Sequence, residues 1–178
     1  MKIISDHSVE PNGTSIRETN QRLAKTSGRR EIQFKNILVP LDLSDASLCA
    51  LDHAASMAKQ FGAKLTLLHV IEPQPSAPDV AYFGPLDAAY CGSIEEKIEE
   101  IREKHIPADV PVEVAVCTDL ICGGIFKTAR EMRADLIVTT THGRTGLKRF
   151  LLGSTAESIV RNAPCPVLVV RDCDYEGE

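Results

Sequence analysis

The chain has 178 residues, 43% of them hydrophobic and 25% charged, with a formal net charge of -5 at neutral pH. That length suits one well-buried core, and the acidic balance argues against a protein that coats nucleic acid, which needs surplus cations to neutralise phosphates. No apolar run approaches the ~20 residues that span a bilayer, so no membrane partner is expected. Met1–Ile4 runs straight into Ser5, Asp6 and His7, which is no signal-peptide core, and a cytoplasmic location is expected. The six cysteines (49, 91, 117, 122, 165 and 173) contain no C-x-x-C pair and read as reduced thiols. A metal site on Cys117 and Cys122 with a histidine is disfavoured by spacing.

Residues 1–33 are polar and read as an extension, with a capping box from Ser15 and Glu18 as its one helix signal. From Phe34 the pattern changes, and one domain is expected over 34–172, followed by an acidic tail over 173–178. Ile37-Leu38-Val39 within Lys35–Asp42 is the short, continuous apolar run of a strand buried on both faces. Ser44 caps the helix that follows, Leu48, Leu51, Ala55 and Ala58 give it a stripe, and Gly62 closes it. Leu65–Ile71 is the second strand. The spacing predicts a capping box from Ser93 and Glu96, opening a helix with Ile94, Ile98, Ile101 and His105 inside. Val112–Val116 is a weaker third strand. Asp119 is expected to cap a helix carrying Ile121, Ile125, Ala129 and Met132. Asp135–Thr139, a helix over Ser154–Asn162 and a last strand over Pro166–Val170 complete the series.

Five strands alternating with four helices imply an open, five-stranded parallel sheet with helices on both faces, a Rossmann-like three-layer α/β/α fold. Such sheets bind ligands beyond the carboxyl ends of their strands, where the strand order reverses. Pro40 and Asp42, Val70, and Thr139 to Gly143 fall on that edge. There the stretch THGRTGLKRFLLGST offers Gly143, Gly146 and Gly153, the cations Arg144, Lys148 and Arg149, and the hydroxyls of Ser154 and Thr155. Glycines let the main chain approach a ligand, and a helix start favours an anion, so a phosphate fits. Ordinary turns, a Ser154 N-cap and solvated cations are the plain alternative.

The segment resembles the signature of the universal stress protein family, G-x2-G-x9-G-[S/T]. Gly143, nine residues and Gly153-Ser154 match it, and Thr140 stands where the first glycine belongs. The likeness runs from about Phe34 to Arg171 and includes Pro40-x-Asp42-x-Ser44, Leu68-His69-Val70 and Pro164-Cys165-Pro166. It implies an adenine nucleotide, ATP or AMP, with Mg²⁺ alongside as an open alternative. Pro40 and Asp42 would sit at the adenine and ribose, and Val70 would pack on the base. Thr140, His142 and Gly143 would line the ribose and first phosphates. Gly153, Ser154 and Thr155 would hold the phosphate tail, through the Gly143 and Gly153 main-chain donors and the Ser154 hydroxyl. Plainer roles remain open: Asp42 receives bonds from its own turn, and His142 is an exposed loop histidine. His69 is assigned to the core, and Ser56, Cys49 and Cys165 to packing.

The resemblance implies a sensor or regulator of the stress response rather than an enzyme, with at most slow ATP turnover. The rivals are a non-binding stress protein that works through dimerisation and partners, and a slow hydrolase. A homodimer is expected through the last strand, Pro166–Val170, whose apolar run lies at a sheet edge by order of appearance. The insert after the second strand gathers Tyr82, Phe83 and Tyr90, as a lid, a partner patch or a cover for the sheet edge.

Overall fold

The computed structural model describes residues 32–73, 88–141 and 152–171. From Gln33 onward they belong to one compact unit. In chain order the elements are β1 (Asn36–Pro40), α1 (Asp45–Phe61), β2 (Lys64–Ile71), α2 (Ala88–His105), β3 (Val112–Thr118), α3 (Ile121–Glu131), β4 (Leu136–Thr140), α4 (Ser154–Asn162) and β5 (Val167–Val170). The sheet order is β3-β2-β1-β4-β5, and every pairing is parallel. The chain therefore winds outward from β1 twice, and the order reverses between β1 and β4. This is the expected open parallel α/β sheet.

The alternation of side chains along each strand divides the core between two faces. Ile37, Val39, Leu65, Leu67, Leu136 and Val138 join Leu51, Ala54 and Ala58 of α1 and Ile98 of α2 on one face. Leu38, Leu68 and Ile137 meet Ile125 and Ala129 of α3 and Ile159 of α4 on the other. Ile37, Leu38 and Val39 have no exposed surface, as a central strand covered on both faces requires. At the opposite edge from the expected ligand, the Asp135 carboxylate accepts the Lys35 N–H at 2.7 Å and that of Asn36 at 3.3 Å. β4 starts at Leu136, one residue after the expected Asp135.

Local signals hold in part. Ser44 caps α1, with its Oγ accepting the Ser47 N–H at 3.3 Å, and Gly62 closes the helix in the left-handed region at φ 66. The Ser93–Glu96 capping box does not form. The helix begins upstream at Ala88, so Ser93 lies inside it and donates its hydroxyl to the Tyr90 carbonyl at 2.8 Å. Asp119 does not cap α3 either. Leu120 occupies the cap position without a side-chain bond, and Asp119 Oδ1 takes the Leu120 N–H at 2.7 Å. Ser56 is exposed rather than packed, bonded through its hydroxyl to the Asp52 carbonyl. Cys49 is buried as expected but disulfide-bonded, whereas Cys91, Cys117, Cys122 and Cys165 are free thiols. Among the described residues no helix is long and apolar enough to cross a membrane. Tyr90 is half exposed on α2, and Tyr82 and Phe83 lie outside the described residues.

Candidate functional site

The site is built from the carboxyl ends of β1, β2 and β4 and the start of α4. After β1 the chain stays anchored for one more residue, because the Leu41 N–H donates to the Leu68 carbonyl at 2.8 Å. The Leu41 carbonyl accepts from Nδ1 of His69 at 2.8 Å, so Nδ1 carries the hydrogen. His69 is 8% exposed, and its core assignment holds. Beyond this pin the backbone turns sharply. Leu43 adopts φ 63, a left-handed conformation seldom taken by a branched apolar side chain. Asp42 holds the turn: its Oδ1 accepts the Ser44 N–H at 3.0 Å and also the Ser44 hydroxyl. Asp42 thus receives bonds from its own turn, the plainer of its two roles, while standing at the reversal of strand order. Pro40 ends β1, in register with Leu68.

Val70 lies near the end of β2, half-buried against the α3 face of the core, and pairs with Cys117 of β3. Thr140 ends β4, buried and in register with Val170. Thr141 then joins two elements. Its N–H donates to the Val170 carbonyl at 3.1 Å, and its carbonyl accepts the Gly153 N–H at 2.9 Å. The second bond ties the start of α4 to the end of β4 and changes one expectation. The Gly153 N–H is engaged inside the protein, so main-chain donation to a phosphate at this end falls to Ser154 and Thr155.

Gly153, not Ser154, is the N-cap of α4, and it supplies no side-chain acceptor to the first turn. Those opening N–H groups have no intrahelical partner by helix geometry, and the dipole favours an anion beside them. Ser154 is exposed and Thr155 half-buried, so both hydroxyls stand near these donors. Glu157 puts a carboxylate in the same turn, but Arg161 one turn on holds it with Nε and Nη2, each at 2.9 Å. His142, Gly143, Gly146 and the cations Arg144, Lys148 and Arg149 lie outside the described residues.

The described residues contain no group of three or more His, Cys, Asp or Glu side chains able to hold a metal ion. Burial pushes the Cys117 thiol up from its ordinary range, with Asp119 and Glu131 adding to the shift and Lys127 opposing it. Burial followed by Asp135 does the same to Cys165. Both are protonated packing thiols at neutral pH. Residues that sequence reasoning passed over are Leu43 and Gly124, while Thr141 lay within the Thr139–Gly143 edge without a role of its own. Only Gly124 left a readable trace, as one of two adjacent glycines inside a helical pattern.

The model of the universal stress protein family matches residues 33–171. Universal stress protein MJ0531 of Methanocaldococcus jannaschii is 34% identical over 140 residues, covering 78% of this chain and 82% of its own length. The solved structure of universal stress protein UspA from Lactobacillus plantarum superposes with a TM-score of 0.65 at 27% identity, covering 79% of this chain and all of that one. A universal stress protein solved in complex with cAMP has the same fold, with a TM-score of 0.57 at 23% identity over 79% of this chain and 99% of that one. The match spans every strand of the sheet together with the carboxyl-edge residues just described, so the chain belongs to the universal stress protein family.

Proposed function

We propose that this protein binds an adenine nucleotide, ATP or AMP, at the carboxyl edge of its sheet, and works as a non-catalytic sensor or regulator in a stress response. The observation that carries the reading is the convergence at the β1–β4 reversal. Asp42 beside the left-handed Leu43, Thr140, and the α4 start tied to Thr141 lie at this carboxyl edge, where sheets of this kind take ligands, with Val70 on the neighbouring strand. The base would pack on Val70 beside Pro40, and the ribose would meet Asp42 and Thr140. The phosphates would take the N–H groups of Ser154 and Thr155 and their hydroxyls, with His142 and Gly143 completing the signature. That a protein of this fold was solved with cAMP supports the fit of an adenine nucleotide to such an edge. Calorimetry with ATP and with AMP at millimolar concentration, with and without Mg²⁺, tests this. Binding heat and a raised melting temperature are expected, and their absence with both nucleotides would refute it. Mass spectrometry of whatever the denatured protein releases gives an independent check.

One observation favours an assembly role beside or instead of nucleotide binding. β5 is an outer strand of the sheet and leaves Leu168 36% exposed. An apolar outer strand is a template for pairing with a second copy, antiparallel about a two-fold axis. A homodimer through Pro166–Val170 is part of this proposal.

A further inference from the structure

Gly123 and Gly124 stand side by side inside α3, an 11-residue helix. A glycine there costs ~1 kcal/mol relative to alanine, so each invites a reason. For Gly124 the reason is steric. A methyl built on it would lie 3.0 Å from both Val70 methyls and 3.1 Å from the Cys117 sulfur. Carbon atoms pack at ~3.5–4.0 Å, so something would have to move. Val70 does not yield easily. Val70 is β-branched and stiff at χ1, and it pairs with Cys117 across two adjacent strands, so Gly124 is seated over both. Gly123 is different: a methyl there would meet the Asp119 carboxylate, the movable end of a side chain, at 3.0 Å.

We propose that Gly124 is a positioning residue for the base-binding end of β2. Without a side chain it lets α3 sit directly on the Val70 methyls, and this fixes Val70 where an adenine would pack. The inference rests on the nucleotide reading above. A methyl at 124 would force α3 or the Val70 side chain to give by a few tenths of an ångström, displacing the wall the base packs on although no residue touching it had changed.

The test is ATP affinity by calorimetry, beside thermal melts, for wild type, Gly123→Ala, Gly124→Ala, Val70→Ala and the Gly124→Ala/Val70→Ala double variant. Gly123→Ala should bind like wild type. Gly124→Ala should weaken binding about tenfold or more, equal to ~1.4 kcal/mol. With the Val70 methyls removed the only tight contact left is the Cys117 sulfur at 3.1 Å, so Gly124→Ala should cost far less affinity in the Val70→Ala background than in wild type, a strongly non-additive cycle. A purely structural role would shift melting temperatures without that coupling in affinity. Wild-type binding with unchanged affinity in Gly124→Ala, or an equal loss in both backgrounds, would overturn this inference alone. Absence of wild-type binding would overturn the nucleotide reading and this with it. Should Gly124→Ala fail to fold, recovery of folding and of Val70→Ala affinity in the double variant supports the clash, and failure to recover overturns it.

Discussion

Thr66 sits on β2, paired with Leu38 of β1 and Glu113 of β3, and is 3% exposed. Its hydroxyl is buried and has no hydrogen-bond partner. A buried hydroxyl left unpaired costs ~1–3 kcal/mol, because it gives up water and gains nothing in return. Valine has nearly the same shape, suits a strand, and replaces the hydroxyl with a methyl. Nothing is lost in Thr66→Val, and the desolvation cost is relieved. A gain of ~1–2 kcal/mol is expected, which for a domain of this size raises the melting temperature by ~2–8 °C. Circular dichroism melts and urea titrations would measure it, and the urea midpoint should rise with the slope unchanged. Destabilisation by valine would refute the reasoning and indicate a buried water bonded to the hydroxyl.

Ser44→Ala removes both the cap on the Ser47 N–H and the hydroxyl bond to Asp42, so it should cost ~1 kcal/mol and lower the melting temperature by ~2–4 °C; an unchanged melt would show the turn holds without it. Thr140→Gly should leave nucleotide affinity unchanged or raise it, since it restores the family's first glycine; a loss beyond about tenfold in calorimetry would make the hydroxyl a ligand contact. Val169→Pro removes a ladder donor from β5, so light scattering at tens of micromolar should show a wild-type dimer and a monomeric variant; a monomeric wild type would end the dimer proposal. Cys117 and Cys165 have thiols raised above their ordinary value of 9.0, so folding favours the protonated form. Their contribution is therefore intact below that value and lost as pH climbs through the raised folded values. Stability should decline above about pH 9, more slowly in a Cys117→Ala/Cys165→Ala variant, as urea titrations at pH 8 and 10 would report.

Much of this molecule is legible in the chain because its signals are local. Ile37-Leu38-Val39 is apolar without alternation because both faces of β1 are covered, and that pattern alone announces a central parallel strand. Ser44 and Gly62 bracket α1 because capping geometry needs only neighbours a few residues apart. The glycine spacing and the flanking motifs carried the family. Periodicity, however, states that a residue is buried and not against what. The order β3-β2-β1-β4-β5, and with it the reversal between β1 and β4, exists only once the strands choose partners. The same limit explains the failed caps. Ser93 has the right chemistry, but α2 starts earlier, and Asp119 turns its carboxylate to the very next N–H. Asp42 reads as a ligand or as part of its own turn, and its bonds to Ser44 beside the left-handed Leu43 show only in the fold. The Gly153 donor reads as available until Thr141 takes it. Gly124 shows in the chain only as a poor helix former. Its reason is the pair Val70 and Cys117, brought beneath it by two strands more than forty residues apart in sequence, and a contact over that distance is decided only by the folded structure.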